Sequence, residues 1–328
     1  MLPTDTVVEM YEAHPYPSAL PGTSLIHDLA NAIAFLSPRD ELCGRLVLDA
    51  GCGTGHRLIA LAKEFPRTKF VGIDVCANSL KIAKSLAARH AVMNVEFTQH
   101  DLLEPLPDRY HVITSTGVMH HLERPEIGIR AAYEALTDDG FLMLWMYHSY
   151  GEAARLLDRQ LARILWCKSG SPKGPGRLDI LKRLGLSVPR GQYGTNSSRQ
   201  VGEVDQEAID VDAYLHPVVH AYTFDQVFSL LAGCGTDWIA ANGINWNSQS
   251  KLIDLGRVCH DPFFTVTAAD LFTDEVIQST FECLTNREKL AVIELRARPT
   301  GFTVVAGRSR SYESLESRIQ HNLIHDEL

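Results

Sequence analysis

Between Arg45 and Tyr147, short apolar runs alternate with longer stretches in which apolar residues recur every three or four positions. The runs are Leu46–Ala50, Phe70–Ile73, Val95–Thr98, His111–Ser115 and Phe141–Tyr147. Short runs of this kind, rich in branched and aromatic residues and bounded by turn formers, predict buried strands. The stretches Arg57–Phe65, Asn78–His90 and Pro125–Leu136 predict helices. In the second, Leu80, Ile82, Ala83, Leu86 and Ala87 keep helical spacing behind Asn78, a residue suited to cap the helix. The third opens with Pro125 in its first turn and is expected to stop at Gly140. Strands that alternate with helices of this length form βαβ units and a mostly parallel sheet.

The alternation breaks at 168–200, a stretch rich in Gly, Pro and Ser that predicts a loop around a short helix near Ile180–Leu184. It carries seven basic residues and one acid, and residues 203–212 then carry five acids. A basic clamp for an anionic substrate is one reading; two solvated stretches that neutralise each other is the other. Further on, a helix is expected at Phe224–Leu231, a strand at Trp238–Ala241, helices near 248–258 and 273–296, and a final strand at Gly301–Ala306 after Pro299. The polar tail after Arg308 predicts an exposed helix. The implied organisation is an N-terminal lid or helical segment (1–44), a Rossmann-like half (45–148) and an insertion (149–222). A second half follows at 223–308 with a helical insertion at 246–297, and then a C-terminal tail (309–328).

Composition changes this picture little. Of the 328 residues, 45% are hydrophobic and 22% charged, as in ordinary globular chains, which argues against a disordered or fibrous protein. A net charge of −9 gives no overall pull toward nucleic acid or anionic lipid, so neither DNA nor a membrane is an expected partner. The seven cysteines are odd in number, scattered and without a C-x-x-C pair; that pattern predicts no metal site and fits a reduced, cytoplasmic compartment. Met1–Ser18 lacks the basic and apolar regions of a secretory signal. The closing His325-Asp326-Glu327-Leu328 spells an ER-retention address, which without such a signal is read as coincidence.

The segment Leu46-Val47-Leu48-Asp49-Ala50-Gly51-Cys52-Gly53-Thr54-Gly55 carries the most chemistry. It is a buried strand that runs into a glycine-rich turn and then a helix. Glycine tolerates positive φ and lets a ligand lie on the backbone, while amides at the helix start point toward it. A dinucleotide fingerprint would need its third glycine at position 56, which is His56. No G-K-[ST] follows, which excludes a P-loop. Asp49 beside the turn disfavours a pyrophosphate and suits a cationic group. Asp74 closes the second strand 23 residues after Gly51, near the offset of a ribose-binding acid. Asp101 follows the third strand, where a carboxylate can accept from an adenine amino group. Together these describe a pocket for an adenosine with a cationic amino-acid tail.

Asp49–Gly55, Asp74, Asp101 and Val112–Leu122 resemble the class I S-adenosylmethionine-dependent methyltransferases, with the likeness covering roughly 45–148 and remnants at 224–241 and 301–307. The resemblance implies an α/β, Rossmann-like sheet, mostly parallel with an antiparallel last strand, helices on both faces, an N-terminal lid and helical insertions. It implies S-adenosyl-L-methionine as cofactor and S-adenosyl-L-homocysteine as product. Asp49 would then hold the methionine ammonium, Gly51, Gly53, Thr54 and Gly55 would lie under the cofactor, and Asp74 with Val75 would take the ribose. Asp101 with Leu102 would take the adenine, and Thr116 the sulfonium end. A second resemblance, of Tyr11-Glu12-Ala13-His14-Pro15-Tyr16-Pro17 to a Y-x-x-x-P-Y-P leader of some bacterial methyltransferases, points to a subgroup.

Methyl transfer chiefly requires alignment and exclusion of water, with a base only where the acceptor must lose a proton. Candidates for that role are His120, Tyr147 and His220. Tyr11, Tyr16, His121, His148, His216 and Tyr222 are candidates for the substrate wall or lid, with helix capping, packing or N-terminal docking as the competing explanation for each. Pro15 and Pro17 predict a stiff, extended leader. Cys52 and Cys76 read as small buried hydrophobes. The [Asn/Asp]-Pro-Pro-[Tyr/Phe] motif of enzymes that methylate bases or Gln side chains is replaced by Ser115-Thr116-Gly117-Val118. The expected activity is methyl transfer to a small or medium-sized metabolite. The alternatives are a protein or RNA methyltransferase that uses 168–200, a cofactor-binding regulator without turnover, and a nicotinamide oxidoreductase.

Overall fold

A computed structural model describes residues 3–17, 25–27, 29, 33, 41–168, 176–189, 206–246, 249–257, 263–264 and 266–312. In chain order the helices are α1 (Pro3–Ala13), α2 (His56–Glu64), α3 (Ala77–Arg89), α4 (Pro125–Glu134), α5 (Ala153–Lys168) and α6 (Arg177–Leu184). They continue as α7 (Gln206–Asp210), which runs into a π-helical turn at Val211–Leu215, then α8 (Phe224–Gly233), α9 (Ala268–Leu271), α10 (Glu275–Glu282) and α11 (Asn286–Ala297). The strands are β1 (Leu46–Ala50), β2 (Lys69–Asp74), β3 (Val95–Gln99), β4 (Tyr110–Thr116), β5 (Leu136–Tyr147), β6 (Trp238–Trp246), β7 (Gln249–Arg257), β8 (Phe263–Phe264) and β9 (Gly301–Gly307).

The chain divides into two compact units, Met1–Asp101 with Ala153–Val219, and Leu102–Glu152 with His220–Leu328. In the first, β2 lies between β1 and β3, parallel to both, with Leu48 opposite Val71 and Gly72 opposite Phe97. Val47, Leu48, Ala50, Phe70 and Ile73 are buried, as the continuous apolar run of a strand covered on both faces requires. The Ala153–Val219 segment builds a small core of its own from Ala162, Ile180, Leu181, Val188, Ala213 and Tyr214. Arg159 reaches across it to the Ala213 and His216 carbonyls (3.0 and 2.6 Å), at the end of the π-helical turn, where a cation is favoured.

In the second unit β4 and β5 are parallel, and β9 runs antiparallel between β5 and β6. The expected sheet, mostly parallel with an antiparallel last strand and flanked by helices, is therefore present. Four local expectations need correction. First, residues 249–257 form β7 and not a helix, paired antiparallel with β6 from Trp246↔Gln249 to Trp238↔Arg257. Leu252, Ile253 and Leu255 make a short apolar run that periodicity alone cannot assign, and ladder pairing decides it. Second, 273–296 is two helices, because Thr285 starts α11 with a reciprocal capping box to Glu288. Third, the helix at Pro125 stops at Glu134, not Gly140, because Leu136 already pairs with Tyr110. Fourth, α3 is capped by Cys76, whose Sγ accepts from the Ser79 N–H, and Asn78 lies inside the first turn. The chain is helical at 309–312, where the tail helix is predicted to begin, with Ser311 buried; the rest of the tail, His325–Leu328 included, and most of 168–200 lie outside the described residues.

Candidate functional site

The glycine turn after β1 needs its glycines. Gly51, Gly53 and Gly55 have φ of +82°, +52° and +78°, a region that side-chain-bearing residues rarely enter. A Cβ on Gly53 would collide with the Tyr16 carbonyl oxygen, and one on Gly55 would crowd Ala83 and Phe97. The Gly51 and Cys52 amides donate to the Ile73 carbonyl at 2.8 and 2.9 Å, which ties the turn to the end of β2. Asp49, on the last part of β1, is 4% exposed.

Asp74 ends β2. Its Oδ2 accepts the Gly53 N–H at 2.8 Å and its Oδ1 the Cys76 N–H at 2.8 Å. The Val75 amide acts on the same carboxylate, so three backbone amides face Asp74. Burial pushes the Asp74 carboxyl upward against the opposing pull of these amides. The same turn is held from β3, since Gln99 Nε2 donates to the Val75 carbonyl at 2.9 Å and the His100 amide to the Asp74 carbonyl at 3.1 Å. Asp101 closes this unit. Leu102 and Thr116 belong to the other unit, with Leu102 buried and Thr116 half-buried at the tip of β4.

Both cysteines beside the turn are buried, and burial raises both thiols. Burial, reinforced by the Asp49 and Asp74 charges, holds the Cys52 thiol well above its usual range. Cys76 is also raised by burial, and it acts as a helix cap rather than as the plain hydrophobe expected.

The leader meets this cradle directly. Thr54 donates its amide to the Tyr16 carbonyl at 3.3 Å and its hydroxyl to the Pro17 carbonyl. The hydroxyl proton is used there, so His56 Nδ1, 2.8 Å from Thr54 Oγ1, must be the donor in that contact. Burial, with Arg57 and His90 adding to it, lowers His56 to about 4 and keeps the ring neutral. Tyr11 is helical, a correction to the extended leader, because α1 runs to Ala13 before the prolines begin. Its hydroxyl donates to Asp212 Oδ1 at 2.6 Å, and its ring lies 5.7 Å from that of His216. His216 is buried, and its Nδ1 accepts the Val218 amide.

In the second unit, four rings gather where β5 ends and a 3₁₀ turn (Met119–His121) follows β4. His120 is 4.1 Å from Tyr147, 4.3 Å from His121 and 6.0 Å from Trp145, centroid to centroid. Trp145 and Tyr147 are two residues apart on β5 and therefore share a face of the strand. The segment 220–223 is laid against this group. The His220 amide donates to the His120 carbonyl at 2.9 Å and the Tyr222 amide to the Tyr147 carbonyl at 3.0 Å. His220 Nε2 lies 3.1 Å from the Leu122 carbonyl, which can only accept, so Nε2 carries the proton and Nδ1 is the basic nitrogen. Burial, with Glu126 adding to it, pushes Tyr222 up to about 12, so its phenol remains a donor.

His148 lies elsewhere. It is fully buried, edge-on to Phe224 and Phe302, with Nδ1 accepting the Tyr150 amide and Nε2 at 2.9 Å from Glu294 Oε1. Nδ1 accepts, so Nε2–H donates to the carboxylate. The same carboxylate takes the Phe224 amide at the start of α8. Both ring nitrogens are thus engaged in the core, and the substrate wall expected at His148 is replaced by an anchor. Sequence reasoning missed Trp145, hidden in a uniform apolar run, and Glu294, whose partner His148 is 146 residues away. It also missed Glu12, which lay inside the quoted leader.

Residues 44–164 match a family described as a methyltransferase domain. An uncharacterized protein of Synechococcus is 27% identical over 327 residues, covering 93% of this chain and 72% of the relative. A ubiquinone biosynthesis O-methyltransferase of Neisseria meningitidis is 31% identical over 122 residues, 36% of this chain and 50% of the relative. This chain thus spans about half the length of the O-methyltransferases it matches. Among solved structures, PKMT2 from Rickettsia typhi in complex with AdoHcy aligns over 90% of this chain and 57% of that one, with a TM-score of 0.56 and 14% identity, a likeness of fold. Residues 44–164 thus carry a methyltransferase domain, and S-adenosyl-L-methionine is the cofactor that this domain indicates.

Proposed function

We propose that this chain transfers the methyl group of S-adenosylmethionine to a small or medium-sized metabolite. The observation that carries the reading is the Asp74 carboxylate at the end of β2, held by backbone amides that include Gly53 and Cys76, beside a turn whose glycines have positive φ. Such a carboxylate suits two vicinal hydroxyls, and the buried Asp49 suits a cationic amine. When bound, the cofactor supplies a methyl carbon activated by its sulfonium. The chain's own task is then to hold, align and keep water out. Gly51–Gly55 offers backbone to lie on, and Asp101 follows β3, where an adenine would be read. His220, whose Nδ1 is left without a proton in the neutral ring, is a candidate to take a proton from an acceptor, and Tyr222 can donate a hydrogen bond to one.

A metabolite is favoured over a polyanion because described cations of the basic segment are already used within the chain. Lys182 reaches Glu207 at 3.3 Å, Arg183 reaches Asp179 at 2.9 Å, and Arg177 stacks 3.8 Å above the Trp166 ring. Among the described residues no helix is long and apolar enough to cross a membrane. A cytoplasmic setting belongs to the same reading, from the scattered cysteines.

The test has two parts. S-adenosylhomocysteine should raise the thermal midpoint and NAD should not, since only a true ligand stabilises by mass action. Methyl-labelled S-adenosylmethionine with a fractionated lysate should then label a low-mass fraction. Stabilisation by NAD alone would refute the cofactor, and label confined to protein or RNA would refute the acceptor class.

A further inference from the structure

We infer that Glu12 is a positioning residue of the cofactor site, acting through the turn that carries Asp74. The inference rests on the methyltransferase reading above and adds to it a group from outside the Rossmann-like half. Glu12 is in the last turn of α1. Its Oε1 accepts the Asn78 amide at 3.2 Å and the Cys76 thiol proton at 3.4 Å, and its backbone carbonyl accepts from Asn78 Nδ2 at 3.2 Å. These three contacts fall on the first turn of α3, where a carboxylate is favoured by the unpaired amides and the helix dipole.

The link to the site is short. Cys76 gives its thiol proton to Glu12 and its amide to Asp74 Oδ1, so one residue is pulled from both sides. Asp74 Oδ2 in turn holds the Gly53 amide, and Gly53 has no room for a Cβ because the Tyr16 carbonyl sits against it. The leader therefore touches both halves of the cradle, the ribose-side carboxylate through Glu12 and the glycine turn through Tyr16 and Pro17. Tyr11, one residue earlier, anchors the same helix to Asp212. Removal of the Glu12 carboxylate leaves Asp74 bonded to its amides but frees the turn that aims it.

The test is a double-mutant cycle on S-adenosylhomocysteine binding, measured by calorimetry in the full chain. Glu12→Ala is expected to weaken binding about fivefold, the equivalent of one lost helix-cap contact of about 1 kcal/mol. Glu12→Gln, which keeps an acceptor oxygen, should recover most of that loss. In an Asp74→Ala background the Glu12→Ala effect should fall below twofold, because the group it aims is gone. Additive losses, or Glu12→Ala binding as the parent does, would overturn the inference and leave the methyltransferase reading standing. If the unaltered chain fails to bind S-adenosylhomocysteine at all, the underlying reading fails with it. Circular dichroism and thermal midpoints check that each variant is folded.

Discussion

Acid should weaken this fold through one histidine, and the size of the effect follows from its surroundings. His56 opens α2, is 3% exposed, and titrates at about 4 where an unfolded chain would titrate near 6.5. The cause is burial first, then the charges of Arg57 and His90. Its Nδ1–H is committed to Thr54 Oγ1, whose own proton goes to Pro17, so the ring is held in a neutral form. Above pH 6.5 it is neutral in both states and contributes no slope. Between pH 6.5 and 4 the unfolded chain binds a proton that the folded chain refuses, so stability falls as pH falls. A displacement of about 2.5 pH units at 1.36 kcal/mol each gives roughly 3 kcal/mol lost across that window.

Urea unfolding at pH steps from 7.5 to 4, compared between the parent and His56→Gln, isolates this contribution. The Gln amide can still donate to Thr54 and does not titrate. Other groups cancel in the difference, including Asp74, whose raised carboxyl has the opposite sign: the folded state binds its proton first, so it adds stability as pH falls through the shifted value. The parent should lose about 3 kcal/mol more than the variant, all of it below pH 6.5. Parallel pH profiles would show that His56 is solvated and that the Thr54–Pro17 contact is not held in this way.

Three further outcomes are expected. Asp74→Ala should reduce S-adenosylhomocysteine affinity at least tenfold by calorimetry, as the loss of charged hydrogen bonds of roughly 1.5–3 kcal/mol; unchanged affinity would remove it from the site. Gly53→Ala should lower both cofactor affinity and the urea midpoint, because a left-handed backbone costs about 1–2 kcal/mol with a side chain and the Cβ meets Tyr16; a neutral result would mean the leader is not seated there. Glu294→Ala should destabilise by about 2–4 kcal/mol, since it strands the buried His148 Nε2–H and Phe224 amide, and Glu294→Gln should cost less; equal losses would point to packing alone.

How much of this was legible in the sequence depends on how far apart the partners lie. The β1 turn, Asp74 and the parallel strand pairs are local patterns, and glycine spacing and apolar runs reveal them. The β6–β7 pairing is not legible because the apolar run of β7 reads equally well as helix or strand. Thr285-Asn286-Arg287-Glu288 was a clear helix start that went unread. Cys76 displaced Asn78 as the cap because the turn that presents Asp74 ends at residue 76, which fixes where the helix can begin. From its place after a strand, His148 reads equally as core edge or substrate wall, and only the fold reveals the carboxylate that engages it.

The same distinction separates two kinds of constraint in the molecule. Asp74, proposed to hold the cofactor, is fixed by backbone amides of the glycine turn and of its own turn, with the leader seated against both. The aromatic group at the end of β5 is fixed by strangers: His220 and Tyr222 are pinned by the His120 and Tyr147 carbonyls, and the segment that follows them is pinned at Phe224 by Glu294 of α11. Glu294 takes its two protons from residues that flank that group, His148 beyond β5 and Phe224 beyond Tyr222. A change in α11 can therefore move the Tyr222 segment without touching any ring.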